Sequence, residues 1–570
     1  MKQKLFLTIE RLFFILCLSL SGVVSSVWGV DAEQASLGDA VRFLEQATFG
    51  PTPQTIAHVQ EIGLRAFLDE QVAAPMTPYP TFAFWPQSPP LSCLLYCRRD
   101  NYTMYPLQRY FFSNALYGAD QLRQRVAFAL SQILVASGMK VIQPSWMRPY
   151  QQLLYSSAFG NFRQLLYDIT LNPAMGRFLD MANSTCQIST PPDPNVCRYG
   201  SSSKPNESYA REVLQVFSIG THRLNQDGTL QLDNQGNPIP TYDQNTVEEF
   251  ARVLTGWVLA PPLPGPPGIG GTAPNYRDPL RVWVDGAGRE GLHDRGEKSL
   301  LNGVILPAGQ SALTDLNDAI DNIFNHPNVG PFISKQLIQK LVTSNPSPAY
   351  VGRVAAVFND NGTGVRGDLS AVVEAILLDP EARGDVKSDP NYGKLREPAL
   401  FITGLLRAFN ATSDGVLNSS VFENVGSAQM GQDLFRAPSV FNFYSPEYKV
   451  PGEAGVLGPE FGILSSITAL RRANFVSKIV MNPFGLVASP PDRPLGTQID
   501  LTPYTDLASD PDPTALIDSL DTLLMHGAMS PAMRDIIMTA VTSIPTSLPL
   551  QRVRTAVYLI ATSSQYQVER

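Results

Sequence analysis

The feature that most constrains this chain is the stretch P-N-E-S-Y-A-R-E-V-L-Q-V-F-S-I-G, residues 205–220. Pro205 breaks whatever precedes it, and Asn206 offers a side-chain oxygen to the backbone N–H groups of a first helical turn. Tyr209, Val213, Val216 and Phe217 recur at helical spacing and predict one buried stripe. Gly220 ends the run as a glycine just beyond a helix does. Beside the stripe, Glu207 and Arg211 stand four residues apart, and so do Ser208 and Glu212. Those rows read either as a solvated face or as a cleft-facing cluster that orients a ligand. An exposed Glu–Arg pair contributes only about 0.3–0.5 kcal/mol, so a structural role suffices to explain it.

The same grammar recurs along the chain. Thr52-Pro53 starts a helix with an apolar stripe at Ile56, Val59 and Ile62. Gln121 to Ala136 shows the broadest buried face, Leu122, Val126, Ala129, Leu130, Ile133 and Leu134, with Arg123, Gln124 and Arg125 around it. Asp243 caps a helix from Gln244 to Trp257. Further helices are predicted at 313–325, 329–342, 349–358, 369–378, 395–409, 461–480, 513–526, 530–542 and 549–563. Residues 222–242 carry Asp227-Gly228 and Gln235-Gly236 between short apolar runs, a small β-hairpin signal whose acidic residues serve turns rather than calcium. The fold is therefore expected to be mainly α, with two packed helical units, a small hairpin and long Pro/Gly-rich loops. Residues 33–258 form the first unit, 301–570 the second, and 259–300 the connection, whose Pro and Gly content at 259–276 argues against a regular element. F-R-Q-L-L-Y-D-I-T-L-N-P-A-M (162–175) echoes L-S-A-V-V-E-A-I-L-L-D-P-E-A (369–382), a helix stopped by Asn/Asp-Pro in both places.

Composition narrows function by exclusion. Apolar residues make up 44% and charged residues 16% of 570, too apolar for a disordered chain. Residues 1–32 read as a signal peptide: Lys2 and Lys4, then the apolar Leu12 to Leu20, then a small-residue tract. An uncleaved anchor is the alternative, and no stable membrane anchor is expected once the segment is removed. That segment holds Lys2, Lys4, Arg11, Glu10 and Asp31, net +1, so the formal −8 becomes −9. An acidic surface disfavours nucleic acid or an anionic membrane surface as the main partner and leaves room only for local basic patches. Export into an oxidising periplasmic or extracellular space makes Cys93, Cys97, Cys186 and Cys197 two disulfides, with near neighbours favouring Cys93–Cys97 and Cys186–Cys197. A four-thiolate zinc site lacks the paired C-x-x-C spacing, so no metal site is expected.

No G-x-S-x-G elbow, H-E-x-x-H helix, P-loop or C-x-x-C-H is present, and only five histidines occur. These motifs name no cofactor, which stays unknown from the sequence. The polar residues that stand out are Asn206, Glu207, Arg211, Glu212, Asp243, Arg252, His293, Asp294, Lys298, Arg396 and Glu397. His293 is a base and a glutamate an acid only if they converge. Arg211 or Arg396 suits a bidentate anion. Lys394 to Glu397 reads as the cap of the next helix.

Six blocks in order carry a resemblance: F-L-E-Q-A-T-F-G-P-T-P, P-N-E-S-Y-A-R-E-V-L-Q-V-F-S-I-G, Y-D-Q-N-T-V-E-E-F-A-R-V-L-T-G-W, H-D-R-G-E-K, N-H-P-N-V-G-P-F-I-S-K-Q-L-I and M-G-Q-D-L-F-R-A-P-S-V. Over about residues 38–566 the chain resembles the bacterial exported family called domain of unknown function 1800. That family's organising block reads more like P-N-E-N, so Ser208 departs from it. The resemblance implies a co-secreted partner from a sulfatase-like family. Two functions are therefore expected: a helical protein that binds or scaffolds a co-secreted partner, or an extracellular or periplasmic hydrolase of polymers or anionic esters using Glu207, Glu212, Asp243 and His293.

Overall fold

Helices begin where short polar side chains meet proline or an apolar run. Thr52 accepts from the Thr55 N–H, Thr55 returns the bond, and Pro53 opens the helix Pro53–Ile62. Ser347 and Ser530 also precede a proline and accept from the Tyr350 and Met533 N–H groups, capping Pro348–Asn359 and Pro531–Thr542 without the return bond. The computed structural model describes residues 35–186, 204–269, 271–384, 389, 391–419, 424–453 and 455–570. The signal segment and Cys197 lie outside the described residues.

The fold is mainly α, as expected. One apolar cluster runs from Ala40 to Tyr566 and takes residues from both halves. Gln121–Ile133 packs on Val329–Leu341, and Leu37–Ala47 packs on Thr514–Met525. Strands are short antiparallel pairs. Lys394–Leu395 pairs with Val568–Glu569, which ties the end of the chain to its middle.

Several expectations are corrected. The organising helix is Ser208–Gln215, shorter than the periodicity suggests. Asn206 stands outside it and accepts from the Ser208 N–H at 2.8 Å, an Asx turn leading into the helix rather than the cap itself. Gln121–Ile133 stops before Ala136, and Gln124 and Arg125 on its supposed polar face are fully buried. The Pro-rich 259–276 region does hold a regular element: Ala260–Pro264 pairs with Thr272–Asn275 across an irregular register, because a two-stranded pair leaves edge positions where proline loses no ladder bond. Glu397 occupies the start of Pro398–Ala408 but makes no cap bond. Gln432 does this from afar, accepting from the Ala399 N–H at 2.9 Å.

The hairpin signal at 222–242 becomes a two-turn arm. Leu224 pairs with Leu230 and Leu232 with Pro238. Asp227 accepts from the Thr229 N–H, and Asp233 from the N–H groups of Gln235 and Asn237, so both carboxylates shape turns. The two echoing helices, Phe162–Thr170 and Leu369–Leu377, start side by side. Phe162 N donates to Gly367 O at 2.8 Å and Leu369 N to Gly160 O at 2.9 Å.

Candidate functional site

The expected site residues fall into separate groups. On the surface, Ser208–Gln215 packs against Gln244–Val253. This sets Glu207, Arg211 and Gln244 in a triangle: Arg211 Nη2 donates to Glu207 Oε2 at 2.9 Å and to Gln244 Oε1 at 3.0 Å, and Gln244 Nε2 donates to Glu207 Oε2 at 2.9 Å. Glu207 and Arg211 are partly exposed. Glu212 is half-buried, and burial raises its carboxyl despite Arg211. Asp243 is exposed and caps its helix, accepting from the N–H and the hydroxyl of Thr246, both at 2.8 Å. Those bonds hold its carboxyl below the usual range.

His293 and Asp294 lie elsewhere, in a sealed stitch between helices. Gly256 makes room for it: its φ is +87°, and a Cβ there would come within 3.0 Å of His293. His293 Nε2 faces Asp315 Oδ2 at 3.0 Å, and Nδ1 faces the Thr255 carbonyl at 3.0 Å. Lys298 Nζ donates to the same Asp315 oxygen at 2.6 Å. Arg252 grips Asp294 bidentately at 2.9 and 3.1 Å and reaches Glu249 at 2.7 Å. His293, Asp294 and Lys298 are thus each committed to a neighbour. The loop joins Gln244–Val253 to Ala312–Phe324, and its His–Asp pair is closed to solvent.

Arg396 belongs to a third group at the centre of the molecule. Its Nη2 donates to Glu45 at 2.6 Å and its Nε to the Tyr566 carbonyl at 2.9 Å, with the guanidinium 4.7 Å from the Tyr566 ring centroid. Burial pushes the Glu45 carboxyl up to about 7, against the pull of Arg396. Close by, Glu397 accepts from Gln132 at 3.2 Å and from the Tyr444 hydroxyl at 2.9 Å. Lys340 stands 4.4 Å over the Tyr444 ring, and burial lowers its ammonium to about 8. Sequence reasoning missed Glu45, Lys340, Glu460 and Glu569, and it placed the buried Arg125 on a polar face and the buried Lys394 in a helix cap. The available signal was slight: in Q-L-I-Q-K-L-V, Lys340 is flanked by Leu337, Ile338, Leu341 and Val342, whose burial takes the charge inward with them.

Of the cysteines, Cys93 is bonded to Cys97. Cys186 is also in a disulfide, while the expected partner Cys197 lies outside the described residues. Among the described residues no group of three or more His, Cys, Asp or Glu could hold a metal ion, and no helix is long and apolar enough to cross a membrane.

Two roomy concavities lie away from these clusters, whereas a small cavity of about 30 Å³ abuts Arg396 and Tyr566. A groove of about 750 Å³ runs between the 222–240 arm and the helix Val329–Leu341. Val216, Leu224, Leu230, Leu232, Phe332 and Phe441 line it, and Lys335 and Glu447 bond across its rim at 2.9 Å. A second cleft, about 640 Å³, is lined by Arg99, Tyr105, Asn418 and Val487 among others. None of Asn206, Glu207, Arg211, Glu212, Asp243, His293, Asp294 or Arg396 lines either one.

Fold and site together define a mainly α protein whose charged motifs are knitted into helix junctions, with apolar grooves open beside them. Residues 42–568 match the family described as protein of unknown function DUF1800, and the chain belongs to it. Comparison with curated proteins and with solved structures finds no match.

Proposed function

We propose that this chain is an exported, non-catalytic binding protein that holds a segment of a co-secreted partner in the groove beside the 222–240 arm. The observation that carries the reading is the groove's wall. Leu230 and Leu232, on an arm fixed by its Asp-Gly and Gln-Gly turns, and Phe441 from a separate segment stay exposed there, and apolar side chains kept in water around a concavity favour an extended or helical apolar guest. The organising stretch supplies the floor through Gln215, Val216 and Gly220. Gly220 adopts φ +73° and lies so close to Phe332 that a Cβ would come within 2.8 Å of the ring, which sets the groove's depth at that end. The Lys335–Glu447 pair at the rim supplies polar selection without acting on a bond.

The partner proposed is the sulfatase-like exported protein implied by the family resemblance. The test is a calorimetric titration of that purified protein into the full chain. Binding that Leu230→Asp with Leu232→Asp abolishes, and that Glu207→Gln and Arg211→Ala leave intact, supports the reading. Turnover of an anionic ester that disappears in Glu207→Gln assigns the hydrolase function instead.

A further inference from the structure

The helix Leu95–Tyr102 contributes no residue to the core. Its first turn and the turn before it hold Leu91, Leu94, Leu95 and Tyr96 in water, at 95%, 71%, 85% and 53% exposure. Isolated surface leucines need no explanation, but four large apolar side chains within six residues form a patch of the kind that marks a contact surface. Such exposure is that of a projection, not of a groove wall.

The projection is braced. Cys93 is buried at its base and bonded to Cys97, with Cα atoms 5.1 Å apart. The Cys93 N–H donates to the Pro90 carbonyl at 2.9 Å, and Arg98 Nε donates to the Cys93 carbonyl at 3.0 Å. The leucines are therefore held outward by a covalent staple and two hydrogen bonds, pre-organised for contact.

Charge is distributed with the same bias. Residues 74–106 contain only three charged residues, Arg98, Arg99 and Asp100, in a chain of net charge −8. Arg99 holds Asp100 at 2.7 and 3.1 Å and also pairs with Asp492. Arg98 is exposed. In chain order come leucines, a tyrosine, then two guanidinium groups; Arg99 is paired with both Asp100 and Asp492, which leaves Arg98 as the exposed cation of the segment.

We infer that this knuckle docks the protein on a phospholipid bilayer. Leu91, Leu94 and Leu95 enter the interfacial region, Tyr96 sits at headgroup depth where amphipathic rings partition, and Arg98 pairs with lipid phosphate. A fluid bilayer accepts projecting side chains without a shape-matched cavity, which suits a convex patch. The acidic remainder of the surface is repelled by anionic headgroups and turns the carboxylate-poor end towards the membrane. The contact is peripheral and reversible, since three leucines bury little area compared with a spanning helix. It does not depend on the groove or on any protein guest.

The test is co-sedimentation of the full chain with large unilamellar vesicles, made either of phosphatidylcholine alone or of equal parts phosphatidylcholine and phosphatidylglycerol. The wild-type chain is expected to pellet with the mixed vesicles, and Leu94→Asp with Leu95→Asp to lower its partition on the order of tenfold or more. Both positions are exposed, so the variant's melting transition should match wild type. Arg98→Ala should weaken pelleting with mixed vesicles more than with neutral ones. Wild-type protein that stays in the supernatant, or a double variant that pellets equally, overturns the inference. So does light scattering that shows a wild-type dimer and a double-variant monomer, because the patch is then covered by a second copy.

Discussion

Nε2 of His293 lies 3.0 Å from Oδ2 of Asp315, with both side chains sealed from solvent. Lys298 reaches the same oxygen at 2.6 Å. One carboxylate thus anchors a loop residue and a strand residue to the helix Ala312–Phe324. Replacing Asp315 with Asn strips the charge that both donors face. The expected loss is about 3–5 kcal/mol of unfolding free energy, the range for breaking a buried pair, read by urea denaturation. A loss below about 1 kcal/mol, the range of a surface pair, contradicts a structural role for the H-D-R-G-E-K block.

The Glu45 carboxyl supplies a pH dependence. Its folded value is raised to about 7 by burial, above an unfolded value of about 4.3. Between these values the folded state binds more protons than the unfolded state, so stability falls as pH rises. The contribution is fully present below the unfolded value and is lost as pH climbs through the folded one. Comparing denaturation midpoints of wild type and Glu45→Gln from pH 4.5 to 7 checks this, and the variant is expected to show the flatter profile. Parallel profiles contradict it.

The surface triangle should behave as a surface. Glu207→Gln and Arg211→Ala are each expected to change stability by about 0.5 kcal/mol or less, because both side chains are partly exposed. Asp243→Ala should cost about 1 kcal/mol, since it removes the cap of Gln244–Val253. Thermal melts of the three variants give the order, and a larger loss for Glu207→Gln than for Asp243→Ala reverses it.

Gly220→Ala combines two strains. The residue sits at φ +73°, and the added Cβ meets the Phe332 ring at 2.8 Å. The left-handed conformation alone costs about 1–2 kcal/mol for a non-glycine residue. The variant is expected to melt lower and to bind the groove's guest more weakly, whereas an unchanged melt contradicts the assigned geometry.

Most helices were legible because their ends are written in local chemistry. Thr52-Pro53 and Asp243 act on their own next turn, as do the Asn161 and Asp368 caps that the structure adds. What those caps meet across the fold was not legible. The echo of 162–175 in 369–382 gave no hint that Asn161 and Asp368 form an antiparallel bridge. Arg125 and Lys340 were hidden for a related reason. A polar letter in an amphipathic pattern reads as solvent-facing, yet Arg125 and Lys340 sit on faces of their helices that other elements cover. The Pro-rich Ala260–Pro264 strand was lost because proline opposes strands in general while leaving a two-stranded edge intact. His293 and Asp294 read in sequence as a turn before a dyad, and their burial with the partners Asp315 and Arg252 shows them stitching helices together.

The most direct measurement is calorimetric titration of the purified sulfatase-like partner into wild-type chain and into the Leu230→Asp, Leu232→Asp double variant. The account predicts saturable binding to wild type and none to the variant, with equal melting transitions. Equal affinity for both proteins would contradict it.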